Sequence, residues 1–293
     1  MKIQKSYKKD GSEAGALYVV PTPIGNLEDM TYRAVSTLNE VAGIAAEDTR
    51  NTKKLVNHFN IQTPLISYHE HNKQTRGPQL IERMRNGEEL AVVSDAGMPG
   101  ISDPGSDLVK ECVEEDIPVI VLPGANAALP ALAGSGISTE KFYFCGFLPR
   151  KKKDRLAELE KLQSLQATLI FYESPHRLKE MLSHTYEQLG NRKATIAREL
   201  SKRYEEFVRG NLEELLEWSE KEEIRGEFCI IVEGASFEEE EEDSFWWTHL
   251  SVIDHVEHYM EKEQMKSKQA IKQTSLDRKL SKREVYQAYH VHE

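Results

Sequence analysis

The stretch "VVSDAGMPGISDPG", residues 92–105, decides how the rest of the chain is read. Two valines close a short apolar run, Leu90 to Val93, and lead into three glycines (Gly97, Gly100, Gly105), two prolines (Pro99, Pro104) and two aspartates (Asp95, Asp103). Four apolar residues bounded by turn residues read as a strand buried on both faces. Glycine reaches backbone conformations that other residues avoid and proline fixes φ, so a strand end carrying both is a shaped loop. Two further strands end the same way, in "VVPTPIGNLED" (19–29) and "VLPGANAALPAL" (121–132). Ligands of open parallel sheets sit beyond the carboxyl ends of the strands, so three such loops predict a cradle.

Outward from these loops, apolar runs at 16–21, 43–46, 64–69, 90–95 and 117–123 alternate with helical stretches such as "TYRAVSTLNEV" and "GPQLIERMRNG". That alternation predicts a mainly parallel sheet with helices on both faces, residues 16–124. The pattern restarts over 125–236. "EKFYFCGFLP", "ATLIFYES", "ATIARE", "YEEFVRG" and "EFCIIVEG" read as strands. Leu156, Leu159, Leu162 and Leu165 form one helical stripe, and Ser174-Pro175 reads as the start of a helix closed by Gly190. An acidic linker (237–244) and a small helical unit (245–293) follow. There "SKRE" (281–284) predicts a capping box, and Trp246-Trp247 a core anchor.

The chain has 293 residues, 39% hydrophobic and 30% charged, with no apolar run of membrane-spanning length. Residues 1–15 lack the apolar core of a signal peptide and read as a flexible basic tail. The three cysteines form no CxxC, which argues against disulfides and zinc and makes the cytoplasm the expected compartment. The net charge of −11 is unevenly spread. Residues 220–243 hold eleven acids and two bases. "PRKKKDR" (149–155) carries +4 and residues 262–283 carry +6, so local patches can still attract phosphates.

No GxxxxGK[ST] is present for ATP, and "PTPIGNLED" is not the GxGxxG of a dinucleotide site, although Glu47 and Asp48 lie where a ribose-binding acid would sit. A compact cofactor with one positive charge and no phosphates, S-adenosylmethionine, suits these loops better. Glu47, Asp48 and Arg50 at a strand end, with Glu173, His176 and Arg177 in "YESPHR", are candidates for a general base and for positioning an acceptor. His69 and His71 would share one strand face, but two histidines without a third ligand do not make a metal site, and none is expected.

Taken together, "VPTPIGNLEDMTYRAV", "AAEDTRNTKKL", "SYHEHN", "SDAGMPGISDPG", "LPGANAALPAL", "FYESPHRL" and "IARELSKRYEE" resemble the 16S rRNA cytidine 2′-O-methyltransferases of the tetrapyrrole methylase superfamily. The resemblance runs from about Ala16 to Val232, and "SKREVYQAYH" is similar to that group's C-terminal helix-turn-helix-like unit. It implies two α/β domains with the cofactor cleft between them plus the helical unit. It also implies S-adenosylmethionine as cofactor, 16S rRNA within the 30S subunit as partner, and a homodimer. Residue by residue it places the cofactor against Ile24, Asp95, Met98, Asn126, Ala127, Tyr172, Ala197 and Glu227; for catalysis Glu47, Asp48, Arg50 and Glu173 stay open as candidates. A tetrapyrrole C-methyltransferase, a non-catalytic RNA-binding assembly factor and an NAD-dependent enzyme are the alternatives. The +6 tail argues against the first, and intact glycine loops argue against the second.

Overall fold

A computed structural model describes residues 3–4, 6, 14–103, 105–236, 246–247, 249–278 and 280–290. The first half builds five strands, β1 (Leu17–Val19), β2 (Gly43–Ala46), β3 (Leu65–Ser67), β4 (Leu90–Val93) and β5 (Val119–Val121). Helices α1 (Tyr32–Glu40), α2 (Thr49–His58), α3 (Lys73–Arg85) and α4 (Gly105–Glu114) connect them. Every pairing is parallel and the order is β3-β2-β4-β1-β5. All four residues of β4 are buried, as its unbroken apolar run requires. The order also makes β4, β1 and β5 neighbours, so the three glycine- and proline-rich loops leave the sheet side by side. On the open edge, the Gln4 amide bonds both ways to the Val119 backbone at 2.8 and 2.9 Å, occupying a strand edge that would otherwise pair with another chain.

The second half adds α5 (Ala128–Ser135), β6 (Phe142–Phe147), α6 (Lys152–Leu162), β7 (Thr168–Glu173), α7 (Leu178–Leu189), β8 (Lys193–Arg198), β9 (Glu206–Asn211), α8 (Leu212–Lys221) and β10 (Phe228–Val232). Its sheet is mixed, ordered β6-β7-β10-β8-β9; only β6 and β7 run parallel. Alternate residues of the strands face opposite layers. Leu169, Phe171, Ile196 and Ile230 pack with α6, α7 and α8, while Ile170, Ala197, Cys229 and Ile231 pack with Ala131 and Leu132 of α5. Both sheets belong to one compact unit ending at Ala235.

Several expectations need correction. Helix α7 starts at Leu178 rather than Ser174: residues 175–177 form a turn in which the Arg177 N–H donates to the Ser174 carbonyl (3.1 Å), and the Ser174 hydroxyl is turned back to Glu173 Oε1 (3.3 Å). His69 and His71 lie in the turn after β3, rings 6.0 Å apart, not on a strand. Arg155, counted in the basic cluster, is 1% exposed; it donates to His184 Nδ1 (3.0 Å) and pairs with Glu180 (2.6 Å). A guanidinium can be taken inside when acceptors and an opposite charge meet it there, and then it no longer counts as surface charge.

The other compact unit holds α9 (Val252–Glu261), α10 (Ser267–Asp277) and α11 (Lys282–His290) around Val256, Ala270, Ile271 and Val285. Trp247 stacks on the buried His255 at 5.2 Å, while Trp246 meets that ring edge-on at 4.9 Å but is itself 43% exposed, so it covers the core rather than anchoring in it as expected. Ser281 and Glu284 close the predicted box, each side chain accepting the other's backbone N–H (3.2 and 2.7 Å). The acidic linker, but for its neighbours, and most of residues 1–15 lie outside the described residues. Among the described residues no helix is long and apolar enough to cross a membrane.

Candidate active site

The three loops are fastened to one another before any ligand is considered. Thr22 and Gly97 exchange two backbone hydrogen bonds of 2.9 Å, and Thr22 Oγ1 donates to the Ser94 carbonyl at 3.1 Å. Gly97 has φ +83°; a Cβ there would sit 3.4 Å from Ile24 Cγ2 and 3.7 Å from the Ala125 carbonyl oxygen. Only glycine takes that backbone without strain, and its bare Cα lets loops 19–29, 92–105 and 121–132 close on each other. The first loop then reaches the second half, with the Asn26 N–H donating to Ser201 Oγ at 3.1 Å.

A cavity of about 480 Å³ opens where these loops meet the second sheet. Ile24, Asp95, Met98, Asn126, Ala127, Tyr172, Ala197 and Glu227, the eight residues expected around the cofactor, all line it, together with Glu47 and Glu173. Asp48 and Arg50 do not. Asp48 caps α2, accepting the Arg50 N–H (2.8 Å), and its carboxylate also grips the Arg50 guanidinium at 3.0 and 2.6 Å. Those bonds hold Asp48 down to about 2. His176 is exposed and also lies off the cavity wall. Sequence reading missed Phe147, Ile101, Lys202, Ser174 and Pro175, which the fold brings to the same wall.

The lining carries five carboxylates (Glu47, Asp95, Asp103, Glu173, Glu227) and one lysine, Lys202. Lys202 is already committed to Glu227 (2.8 Å) and Glu199 (2.9 Å). Burial, then the neighbouring Asp95, Asp103 and Asp48, push the Glu47 carboxyl above the usual carboxylate range. Burial raises Asp103 too, although the Gly100 and Gly105 N–H groups donate to it at 2.6 and 2.9 Å. Asp95 accepts from the Asp48 N–H and from Asn51 Nδ2, both at 3.1 Å, fixing the wall to the start of α2. The Tyr172 hydroxyl lies against the N–H groups of Ala127 and Ala128, and burial lifts it to about 12. Glu173 is fully buried; its Oε2 faces Arg177 at 3.2 Å and has no hydrogen-bond partner. Such a cavity favours a ligand with a positive charge and repels phosphate. Among the described residues, no group of three or more His, Cys, Asp or Glu side chains is placed to hold a metal.

Residues 16–216 match the family described as Tetrapyrrole (Corrin/Porphyrin) Methylases. A uroporphyrin-III C-methyltransferase from Thermus thermophilus, solved in complex with S-adenosyl homocysteine, superposes with a TM-score of 0.54 at 20% identity, covering 74% of this chain and 97% of that one. At that identity it shares the fold. Two relatives named ribosomal RNA small subunit methyltransferase I are much nearer. That of Halalkalibacterium halodurans is 56% identical over 99% of both chains, and that of Bacillus subtilis 55% identical over 96% of both. The chain belongs to the tetrapyrrole methylase family and, within it, to the group formed by the relatives named ribosomal RNA small subunit methyltransferase I.

Proposed function

We propose that this chain uses S-adenosylmethionine to methylate the 2′-hydroxyl of a cytidine in the decoding centre of 16S rRNA. Its setting is the cytoplasm, its substrate the small ribosomal subunit, and its working form a homodimer. The observation that carries the reading is the convergence of the eight cofactor positions on one acidic cavity. About 480 Å³ is within the range of small-molecule sites, and five carboxylates against one paired lysine match a sulfonium rather than a nucleotide phosphate. Ile24, Asp95, Met98, Asn126, Ala127, Tyr172, Ala197 and Glu227 would hold the cofactor, which supplies an electrophilic methyl group.

The chain's own residues then have separable tasks. The wall fixes the reactants in line, which is most of what a methyl transfer needs. A ribose hydroxyl is a weak nucleophile until its proton is shared; Glu47 and Asp103 are both lining carboxylates with raised affinity for a proton, and because Asp103 is engaged by the Gly100 and Gly105 N–H groups, Glu47 is the one assigned to that step. Asp48 and Arg50 hold the start of α2, and through the Asp48 N–H they hold Asp95. Glu173, locked by Ser174 and Arg177, shapes the opposite wall.

The test is incubation with isotope-labelled S-adenosylmethionine and small subunits lacking the modification, followed by digestion and mass spectrometry of the nucleosides. Label in 2′-O-methylcytidine is the expected outcome. Label in another nucleoside, or transfer to a tetrapyrrole instead, refutes the acceptor.

A further inference from the structure

An acidic cavity admits a ribose but repels the phosphates on either side of it, so the strand must be held by cations elsewhere. We propose that residues 147–153 form that contact: Phe147 is a stacking platform for a nucleobase beside the acceptor, and Arg150, Lys151, Lys152 and Lys153 take the phosphates of the same strand. This rests on the RNA reading above and adds to it which residues grip the substrate.

Four observations converge on the segment. First, β6 carries a bulge: its register to β7 shifts between Phe144 and Gly146, where Gly146 has φ +64°. In a regular strand Phe144 and Phe147 would face opposite sides. With the extra residue they pair with Ile170 and Tyr172, which share a face, and both rings contact Tyr172 edge-on at 5.0 and 5.7 Å. Bulges re-aim side chains in this way. Phe147 is thereby turned to the cavity wall and left 54% exposed, an arrangement without benefit to a core.

Second, the following four cations are consecutive and exposed, and among the described residues none of them has an ion-pair partner. Lys141 and Lys179 of the same unit also lack an ion pair among the described residues but stand singly, whereas these four are contiguous. Third, lysines at the first turn of α6 oppose the helix dipole, so local stability does not account for them. Fourth, the loop that presents them is clamped from inside. Arg177 Nη2 donates to the carbonyl of Leu148 (2.7 Å), and Arg155 Nη1 to those of Pro149 and Arg150 (3.4 Å each). Arg177 also faces Glu173 of the cavity wall at 3.2 Å, tying the basic loop to the site. An exposed aromatic joined to a rigid run of unpaired cations is how single-stranded nucleic acid is held without base readout.

The experiment compares the wild-type chain, the triple variant K151A/K152A/K153A, F147A and F147W for binding to unmodified small subunits across a salt series. Cofactor binding is measured in parallel for the wild type and the triple variant. Each single-strand phosphate contact contributes roughly 0.7 to the log–log salt slope, so the triple variant should lose about 2 from it and bind at least about tenfold more weakly at low salt, with cofactor affinity unchanged. F147A should weaken binding about five- to a hundredfold while F147W retains it. Wild-type affinity and slope in the triple variant and in F147A overturn this assignment and leave the RNA reading standing. A wild-type chain that binds cofactor but shows no salt-dependent binding to small subunits overturns both.

Discussion

Replacing Glu47 by Gln separates the two adjacent acids at the end of β2. Glu47 lines the cavity with its carboxyl raised by burial and by Asp95, Asp103 and Asp48; Asp48 faces Arg50 and is held down to about 2. A base that takes up a proton more readily than an ordinary carboxylate can assist the hydroxyl, whereas one bonded to a guanidinium cannot. General-base assistance accounts for roughly 10²–10⁴ in rate, or about 2.7–5.5 kcal/mol of barrier, so E47Q should lose that much in single-turnover rate. Glutamine keeps the size of the side chain and the cavity shape, and Asp95, Asp103, Glu173 and Glu227 remain on the wall, so cofactor affinity should fall far less than the rate. D48N leaves a good helix cap in place and should stay within about fivefold of wild type. The assay is a single-turnover time course with labelled cofactor across pH. The wild-type rate should rise with pH as Glu47 loses its proton. D103N, which removes one of the acids raising Glu47, should move that limb to lower pH, and E47Q should abolish it. An E47Q enzyme within threefold of wild type, with the same pH limb, refutes Glu47 as the base.

Other perturbations test the scaffold. G97A forces an alanine to φ +83° and should cost about 1–2 kcal/mol in chemical denaturation, with weaker cofactor binding in calorimetry; unchanged values on both would show that the loop junction does not need glycine. R155A strips a buried guanidinium from His184 and Glu180, and urea unfolding should report a loss of about 2–4 kcal/mol, less than for a fully buried pair because Glu180 is half in solvent. In the helical unit, burial and then Arg278 hold His255 down to about 4, with Arg278 donating to its Nδ1 at 3.0 Å. The unfolded chain therefore binds that proton first, so stability is intact above the ordinary imidazole value near 6.5 and falls as pH drops toward 4. About 2 kcal/mol should disappear between pH 7.5 and 5 in the tryptophan-monitored transition, and H255Q should flatten that slope.

The first sheet was legible because its strands are buried on both faces: Leu90–Val93 is an uninterrupted apolar run, and every one of its residues is buried. The loops after β1, β4 and β5 predict a cradle but not which of their residues line it; Ile24, Asp95, Met98, Asn126 and Ala127 came from the family resemblance, and all five lie on the cavity wall. The mixed second sheet was not legible in the same way. "ATIARE" and "YEEFVRG" read as strands, but alternation gives a strand's faces and not its partner or direction, so the antiparallel pairing stayed hidden. Arg155 and its neighbours Arg150 to Lys153 look alike in the chain; only the positions of His184 and Glu180, supplied by α7, draw the first inside. Phe147 could have been noticed, since a glycine just before a strand-ending aromatic is a signal of a bulge. The start of α7 was misplaced because Ser174 turns back to Glu173, a side-chain choice that no local propensity records.

In the second sheet β10, the last strand to leave the ribosome, lies between β7 and β8. Until Phe228–Val232 has been synthesised, β6 with β7 and β8 with β9 are two separate pairs, each with an edge waiting for the same missing strand. Long-range pairing of this kind is closed late and at an entropic cost, so the half of the site carrying Tyr172, Ala197 and Glu227 assembles in one step once Phe228–Val232 is available. A chain stopped before Phe228 would therefore be an aggregation-prone fragment with two unsatisfied strand edges rather than a weaker enzyme.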